Sequence, residues 1–350
     1  MAADNPSLDQ AIACHVKGQL DQALLLYLEA LRLNPRDRTA AELVSAILRT
    51  HFELAVSLMK LGRDGDAIES FQRVLAIQPD EPLAHASLSR LFLARNDRTQ
   101  ATPHLRHYLR LVPEDHIGAR LLLAYTGAEP PPDRPPPAYI TRFYDSYAET
   151  YDRKLVDGLG YRCPQLILAA LRQHCRGKLA ILDLGCGTGL CGQAVRPLAE
   201  RLDGVDLSPQ MVAKATQRRI YNRLEVGDLY PFLDKKPGRY EAIVAAGVFE
   251  HVGDPARIFR AAFGALKDRG VFVFTAQDNP AQELSVNSSA FYTHGRGYLA
   301  ERAAECGFRV VALEPAVMWV ENNAPVQGLC VVLSKPGGDA GQVRQERRSA

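Results

Sequence analysis

One short stretch in the middle of the chain constrains its fold more than any other. The run LAILDL, residues 179–184, is apolar enough to be a buried strand, and it leads directly into Gly185, Gly187 and Gly189. A turn with alternating glycines between a strand and a helix lets the backbone approach a ligand closely, because glycine carries no side chain to obstruct it. The stretch therefore predicts a ligand site at the carboxyl end of a strand.

Apolar runs and helix-forming stretches alternate through the C-terminal part of the chain. The apolar runs are residues 179–184, 202–207, 224–226, 242–246, 271–276, 309–313 and 329–333. Strands that alternate with helices are typical of a parallel sheet with helices on both faces, because parallel neighbours need crossover connections. The chain is therefore predicted to contain an α/β domain.

An acidic residue ends the second apolar run, in the stretch LDGVDLS. The carboxylate of Asp206 can accept hydrogen bonds from both hydroxyls of a ribose, as in dinucleotide sites. The dinucleotide pattern itself does not fit, because its third glycine would fall at Leu190, and no Gly-Lys-Ser/Thr sequence follows to indicate a phosphate-binding loop. These residues predict a nucleoside-like ligand.

The form DLGCGTG, residues 183–189, resembles the S-adenosylmethionine site of class I methyltransferases. The stretches LEVGDLYPF, YEAIVAAGVFEHVGD and YLAERAAECGFRVVALEP are similar to later parts of that family in the same order, so the resemblance covers about residues 138–335. It implies a Rossmann-like fold with a mostly parallel seven-stranded sheet, S-adenosylmethionine as the cofactor, and Asp228 as the acid that meets the adenine amino group. The predicted cofactor-binding residues are Asp183, Gly185, Gly187, Gly189, Asp206, Leu207, Asp228 and Leu229.

Two further stretches flank this core. FYDSYAETYDRKLVDGLGYRCPQLI and FYTHGRGYLAERAAECGF resemble a bacterial group of methyltransferases fused to tetratricopeptide repeats, in which the first stretch forms helices over the cofactor. The resemblance brings no settled substrate. The chain also departs from the family, with Gly247 where Asp is frequent and Gln277 where Glu is common. These two departures weaken the assignment of a strong catalytic base.

The first third of the chain repeats one phrase three times and lacks strand-like runs. The copies are residues 18–35, 62–79 and 96–113. Each copy has an alanine after the turn, a larger residue four positions later, and a closing proline. The alanine would let two helices approach closely, and the proline would stop the second helix. The phrase therefore predicts packed helical hairpins.

The spacing of the closing prolines indicates the type of repeat. Pro79 and Pro113 lie 34 residues apart, which is the tetratricopeptide period. Pro35 and Pro79 lie 44 residues apart, which predicts a longer helix at that junction. The segment resembles the tetratricopeptide repeat family over about residues 5–125, and a generic helical bundle is the alternative.

A proline-rich stretch, GAEPPPDRPPPAY, separates the two parts. Its six prolines favour an extended, stiff backbone, so we predict a spacer that joins neither core. A proline-rich ligand for a partner domain is the alternative. The predicted organisation is a tetratricopeptide repeat domain at 1–126, a linker at 127–137, a methyltransferase domain at 138–336 and a disordered tail at 337–350.

Ionisable and aromatic residues near the expected methyl position are the candidates for catalysis. His251 follows the fourth strand, and His294 precedes the last helix; each is predicted to act as a base or substrate clamp, with a structural role as the alternative. Tyr147, with Tyr144 and Tyr151 at helical spacing, is predicted either to cover the cofactor or to pack. A base is needed only if the acceptor still carries its proton at the moment of attack.

Composition limits the class of protein. A net charge of +2 over 350 residues gives no strong basic field, so no nucleic-acid or membrane partner is expected. The N-terminal stretch lacks a signal-peptide pattern, and no run approaches the ~18 apolar residues of a membrane helix. Seven cysteines without a C-x-x-C pair predict free thiols in a reducing cytoplasm and no metal site.

These inferences predict a cytoplasmic S-adenosylmethionine-dependent methyltransferase. Its acceptor would be an oxygen or nitrogen of a small or carrier-bound metabolite, and its repeats would recognise a protein or peptide partner. One alternative is a protein methyltransferase whose repeats grip the target, since superhelical repeats form concave surfaces. Another is an interaction scaffold with an inactive methyltransferase fold, against which the presence of Asp183, Asp206 and Asp228 argues.

Overall fold

The computed structural model describes residues 6–321 and 323–337. These residues form two compact units that divide between Pro113 and Glu114. Each unit has apolar cores of its own, as expected of segments that bury their hydrophobic surface separately.

The described helices of the first unit pack in sequential pairs. They are α1 (Pro6–Val16), α2 (Leu20–Leu33), α3 (Arg38–Lys60), α4 (Asp64–Ile77), α5 (Pro82–Ala94) and α6 (Arg98–Leu111). α1 packs on α2, α3 on α4, and α5 on α6. Asp37 and Asp97 cap α3 and α6, where each side chain accepts a hydrogen bond from a free backbone N–H of the first turn.

The phrase that recurs in the sequence forms the second helix of each pair. Its alanines and the larger residues four positions later are fully buried: Ala23, Tyr27, Ala67, Phe71, Ala101 and Leu105. Both positions of the phrase therefore lie in the packed interior of the helix pairs, as the prediction requires. α3 has 23 residues, so the extra length between Pro35 and Pro79 is a longer helix, as predicted.

The second unit alternates strands and helices. Its helices are α7 (Ala119–Thr126), α8 (Pro137–Tyr147), α9 (Cys163–His174), α10 (Leu190–Val195), α11 (Pro209–Gln217), α12 (Leu229–Asp234), α13 (Ala256–Ala265) and α14 (Arg296–Glu305). Its strands are β1 (Leu179–Leu184), β2 (Ala199–Asp206), β3 (Arg223–Val226), β4 (Tyr240–Ala245), β5 (Leu266–Gln277), β6 (Leu284–Val286), β7 (Tyr292–His294), β8 (Arg309–Glu321) and β9 (Ala324–Ser334). A π-helical turn spans Arg153–Gly158, and short 3-10 helices span Arg196–Leu198 and Phe249–His251.

The main sheet confirms the predicted fold class. Its seven strands follow the order β3-β2-β1-β4-β5-β9-β8. β1 to β5 pair in parallel, and β9 lies antiparallel between β5 and β8. Successive strands are added to one side of β1 up to β3 and to its other side from β4 on, and this reversal of strand order opens a crevice at the carboxyl ends of β1 and β4. β6 and β7 form a separate antiparallel hairpin that the sequence pattern does not predict.

Alternate residues of the central strands are buried on opposite faces of this sheet. Leu182 and Phe272 belong to a core shared with α13 and α14. Ile181 and Val273 belong to a second core shared with α9 and α10. Because side chains of a strand alternate with a period of two, both faces of each strand need a covering helix layer. The predicted helices on both faces are therefore present.

The proline-rich segment does not behave as the predicted spacer. α7 belongs to the second unit, although the sequence predicts a boundary at residue 126. The backbone carbonyl of Asp133 accepts a hydrogen bond from Gly253 N at 3.1 Å, and that of Pro132 accepts one from Tyr292 Oη at 2.6 Å. An extended proline-rich backbone leaves its carbonyls unpaired, and here they dock onto the second unit.

The predicted tail, residues 337–350, lies outside the described residues apart from Gly337. Along residues 6–321 and 323–337, no helix combines the length and the hydropathy that crossing a membrane requires. Within the same ranges, no group of three or more histidine, cysteine, aspartate or glutamate side chains is placed to hold a metal ion.

Candidate functional site

A pocket opens at the carboxyl ends of β1, β2 and β4, where the strand order reverses. The space between its walls is about 800 Å³ when the open solvent at its mouth is included. The loops after β1, β2 and β3 form one wall, and the proline-rich segment and α8 form another. The predicted cofactor-binding residues that line it are Gly185, Gly187, Asp206, Leu207, Asp228 and Leu229.

The three glycines of the loop after β1 are needed for different reasons. Their φ angles are +69° at Gly185, +52° at Gly187 and +93° at Gly189, a region that side chains disfavour. A Cβ on Gly185 would lie 2.6 Å from Val248 Cγ2. A Cβ on Gly189 would lie 2.9 Å from Arg218 Cδ. A Cβ on Gly187 would meet no described atom within 4 Å, so the missing side chain leaves open space at the pocket wall.

Asp206, at the end of β2, ties the glycine loop to the start of α11. Its Oδ2 accepts a hydrogen bond from Gly187 N at 2.8 Å, and its Oδ1 accepts one from Ser208 N at 2.9 Å. Burial raises the pKa of Asp206, and these two N–H donors oppose that shift. Each carboxylate oxygen keeps a further lone pair, so the side chain is placed to accept hydrogen bonds from a diol.

Asp228 follows β3 and caps α12. Its Oδ1 accepts a hydrogen bond from Tyr230 N at 3.0 Å, and its Oδ2 accepts one from Arg134 Nη1 at 2.8 Å. Arg134 also lines the pocket, although it is not among the predicted site residues. An arginine inside a proline-rich run is the only sequence signal that marks it.

Two predicted cofactor-binding residues, Asp183 and Gly189, do not line the pocket. Asp183 is fully buried, and its Oδ2 accepts a hydrogen bond from Tyr221 Oη at 2.6 Å. Burial raises the pKa of Asp183 to about 7. At Gly189 the space of a side chain is taken by Arg218. Both residues therefore shape the glycine loop from behind.

α8 and the turn after it lie over the loops that follow β1 and β2. Asp145 Oδ1 accepts a hydrogen bond from Ser208 Oγ at 2.5 Å, and Glu149 pairs with Lys214 at 2.7 Å. Tyr144 and Tyr151 line the pocket from this side, and burial raises the pKa of both phenols. The segment thus covers the pocket with neutral tyrosines.

His251 is the predicted catalytic residue that reaches the pocket. Its Nε2 shares a hydrogen bond of 2.6 Å with Tyr144 Oη, and its Nδ1 has no hydrogen-bond partner among the described residues. Burial lowers the pKa of His251 to about 4, so the imidazole is neutral at pH 7. One ring nitrogen of a neutral imidazole is always an acceptor, so His251 is able to receive a proton.

His294 and Tyr147, the other two predicted catalytic residues, do not line the pocket. His294 is fully buried and donates from Nε2 to the carbonyl of Gly253 at 3.0 Å, which fastens the loop after β4. Burial lowers the pKa of His294 to about 4. Tyr147 stacks on Phe143 with ring centroids 4.9 Å apart, and Lys154 Nζ lies 4.3 Å from its ring centroid. Packing along α8 and the turn after it therefore occupies Tyr147, whereas Tyr144 and Tyr151 line the pocket.

Glu250 lies in the 3-10 turn just before His251. Its side chain is buried, and neither carboxylate oxygen has a hydrogen-bond partner among the described residues. Burial raises the pKa of Glu250 to about 7. Ionising a buried carboxylate without a partner is costly, so the folded protein holds this proton more tightly than the unfolded chain does.

Glu250→Gln is expected to change how stability depends on pH. The pKa of Glu250 is about 7 in the folded protein and 4.5 in the unfolded chain. The contribution of Glu250 to stability is therefore complete below pH 4.5 and is lost as the pH rises through 7. At 1.36 kcal/mol per pKa unit the loss is about 3 kcal/mol, and the glutamine variant should not show it. Urea unfolding at pH 4.5 and pH 8 measures the difference. Exposed Glu301→Gln is the control, and identical pH profiles for wild type and Glu250→Gln would contradict the prediction.

The pocket residues fit S-adenosylmethionine. Open space lies beside Gly187, and Asp206 offers acceptors for the two hydroxyls of a ribose. Asp228 offers an acceptor for an amino group on a ring, and Leu207 and Leu229 line the pocket with apolar side chains. Small-molecule sites combine apolar walls with a few placed polar groups, and these residues supply both.

Two family models match separate parts of the chain. The family model described as a methyltransferase domain matches residues 151–313, and the model described as a tetratricopeptide repeat matches residues 48–81. A ubiquinone biosynthesis O-methyltransferase of Xanthomonas campestris pv. campestris (strain B100) is 31% identical over 106 residues, which are 29% of this chain and 44% of that protein. The match therefore spans less than half the length of this curated relative.

Solved structures are also similar to the chain. The [4+2]-cyclase SpnF is 16% identical with a TM-score of 0.49, covering 57% of this chain and 97% of that one. A 1,6-didemethyltoxoflavin-N1-methyltransferase of Burkholderia thailandensis, solved with 1,6-didemethyltoxoflavin and S-adenosylhomocysteine, is 16% identical with a TM-score of 0.45, covering 57% and 89%. The two family matches, together with the sheet order, support a methyltransferase domain at residues 151–313 and a tetratricopeptide repeat at residues 48–81.

Proposed function

We propose that the second unit transfers the methyl group of S-adenosylmethionine to an oxygen of a small or carrier-bound metabolite, with nitrogen as the alternative acceptor atom. The observation that carries this proposal is that Gly187, Asp206, Asp228 and His251 converge on one pocket. The similarity to proteins described as O-methyltransferases supports oxygen as the acceptor atom.

One half of the pocket is proposed to bind and orient the cofactor. When bound, S-adenosylmethionine supplies a methyl group on a positively charged sulfur. Asp206 would accept hydrogen bonds from the ribose hydroxyls, and Asp228 would accept one from the adenine amino group. The backbone at Gly187 would lie against the ligand, because the missing side chain leaves that space free.

The other half of the pocket holds the methyl acceptor and its proton. Tyr144, Tyr151 and His251 line this region, and attack requires the acceptor atom about 3 Å from the methyl group. A ring nitrogen of neutral His251 takes the proton from the hydroxyl group of the methyl acceptor. Tyr144 holds the imidazole in place through its hydrogen bond. An acceptor that is already ionised needs only the positioning.

For the first unit we propose recognition of a protein or peptide partner. The repeat match at 48–81 and the paired helices support this, because stacked helix pairs form extended concave surfaces. Leu25, Leu33 and Leu61 are exposed and offer apolar contacts. If the bound protein is itself methylated, the enzyme is a protein methyltransferase, which is the alternative function.

Radiolabelled S-adenosylmethionine tests these functions with the full chain. Label in the small-molecule fraction of a cell extract would support the proposal, and label in a protein band would support the alternative. Cofactor binding without transfer to either fraction would indicate an inactive scaffold. Calorimetry that detects no binding of S-adenosylmethionine or S-adenosylhomocysteine would overturn the cofactor assignment.

Asp206→Ala is expected to weaken S-adenosylhomocysteine binding by about 1.5–3 kcal/mol, the scale of lost charge-assisted hydrogen bonds. The change removes the acceptor for the ribose and also frees Gly187 N, which then no longer holds the loop. Titration calorimetry measures the effect, with exposed Asp157→Ala as the control. Unchanged affinity would mean that Asp206 does not hold the diol.

A further inference from the structure

The proline-rich segment is anchored beside the pocket at three consecutive residues, 132–134. The first two carbonyls accept hydrogen bonds from Tyr292 Oη at 2.6 Å and from Gly253 N at 3.1 Å. The side chain of Arg134 then pairs with Asp228 at 2.8 Å. Each contact reaches a different element of the second unit, so the segment is held in one place along its length.

Gly253 is the residue that lets this backbone come so close. A Cβ at this position would lie 2.5 Å from the carbonyl oxygen of Asp133 and 2.6 Å from that of Pro132. Backbone atoms cannot move aside as a flexible side chain can, so any larger residue would push the segment outward. Gly253 lies two residues after His251, so one loop carries both the catalytic candidate and the anchor.

Arg134 fixes the orientation of the Asp228 side chain but leaves part of its hydrogen-bonding capacity unused. The Asp228 side chain is 28% exposed, with Tyr230 N on one carboxylate oxygen and Arg134 on the other. The guanidinium of Arg134 also lies 5.7 Å from the centroid of the Tyr230 ring, on which Arg257 stacks at 4.3 Å. Each carboxylate oxygen keeps one lone pair. The carboxylate is therefore fixed in orientation and still open to a donor from the pocket.

We propose that Arg134 is a positioning residue that holds Asp228 for the amino group of the cofactor's adenine, and that the proline-rich segment is a wall of the cofactor pocket. The inference rests on the proposed function, which assigns Asp228 to adenine. A methyltransferase domain cut at residue 138 lacks Arg134 and should bind the cofactor more weakly than the full chain.

The test is a double-mutant cycle on the full chain, with S-adenosylhomocysteine as the ligand in calorimetry. Arg134→Ala should weaken binding about 5–10-fold, and Arg134→Lys should restore part of it because a charge returns. In an Asp228→Asn background, Arg134→Ala should weaken binding by less than about a further twofold, because both changes remove the same interaction. Exposed Arg142→Ala is the matched control. The proposal would be overturned if Arg134→Ala left the affinity unchanged or tightened binding. It would also be overturned if the fold-losses of Arg134→Ala and Asp228→Asn multiplied in the double variant.

Hydrogen exchange provides a readout that needs no ligand. Loss of the anchor frees Asp228, so the amides of residues 228–234 should exchange faster in Arg134→Ala and in Gly253→Ala. Gly264→Ala is the control for Gly253→Ala, because a Cβ at Gly264 meets no described atom within 4 Å. Unchanged exchange in both variants would show that the segment does not hold Asp228. If the wild-type protein bound no S-adenosylhomocysteine, the proposed function and the adenine role would fail, while exchange would still decide the anchor.

Discussion

Gly187→Val is expected to reduce the affinity for S-adenosylmethionine at least about 100-fold, or about 2.8 kcal/mol. Gly187 lines the pocket with φ at +52°, and a side chain on it would enter space that no described atom occupies within 4 Å. In the proposed complex the ligand lies in that space. The left-handed backbone adds about 1–2 kcal/mol of strain with a branched residue. Titration calorimetry with the full chain measures the affinity, and thermal unfolding measures the strain.

A second glycine of the same loop separates ligand contact from packing. Gly185→Ala should mainly lower stability, because its Cβ would lie 2.6 Å from Val248 Cγ2. Gly264→Ala, in an open position of α13, should change neither property much. Normal cofactor affinity in folded Gly187→Val protein would show that the backbone does not approach the ligand at that residue.

His251→Ala is expected to lower kcat by about 10²–10⁴-fold, the usual contribution of a positioned general base, with little change in cofactor affinity. Because burial lowers the pKa of His251 to about 4, the neutral form persists at pH 5–8. Loss of the basic form should therefore reduce the wild-type rate only as the pH falls toward 4. The measurement is the rate of label transfer to the acceptor found in the extract assay, followed across pH.

Two comparisons make this prediction specific. His174→Ala, at the end of α9, should leave the rate unchanged. Tyr144→Phe should cause a smaller loss than His251→Ala, because it removes the hydrogen bond to Nε2 but keeps the imidazole. If His251→Ala kept the full rate, methyl transfer would depend on positioning alone, as expected for an acceptor that is ionised before it binds.

Local patterns were sufficient to predict most of the fold. The run LAILDL forms β1, and each copy of the recurring phrase forms one helix, because hydrophobic periodicity is a property of neighbouring residues. The β6–β7 hairpin was not predicted because each of its strands has three residues, too few to show an alternating pattern. The proline-rich run was misread because extended prolines look alike in sequence whether they span solvent or dock on a surface.

The sequence by itself determined where the glycine loop, Asp206 and Asp228 lie. Each of them is at or just after the end of a strand whose residues are contiguous in the sequence. Only the tertiary structure decided which distant side chains complete the pocket. Tyr144 meets His251 across 107 residues, and Arg134 meets Asp228 across 94. Strand and helix propensities act over a few residues, whereas these contacts depend on how separate elements pack. An arginine between prolines has the same local pattern in solvent as beside a carboxylate, and packing of the whole unit places it next to Asp228.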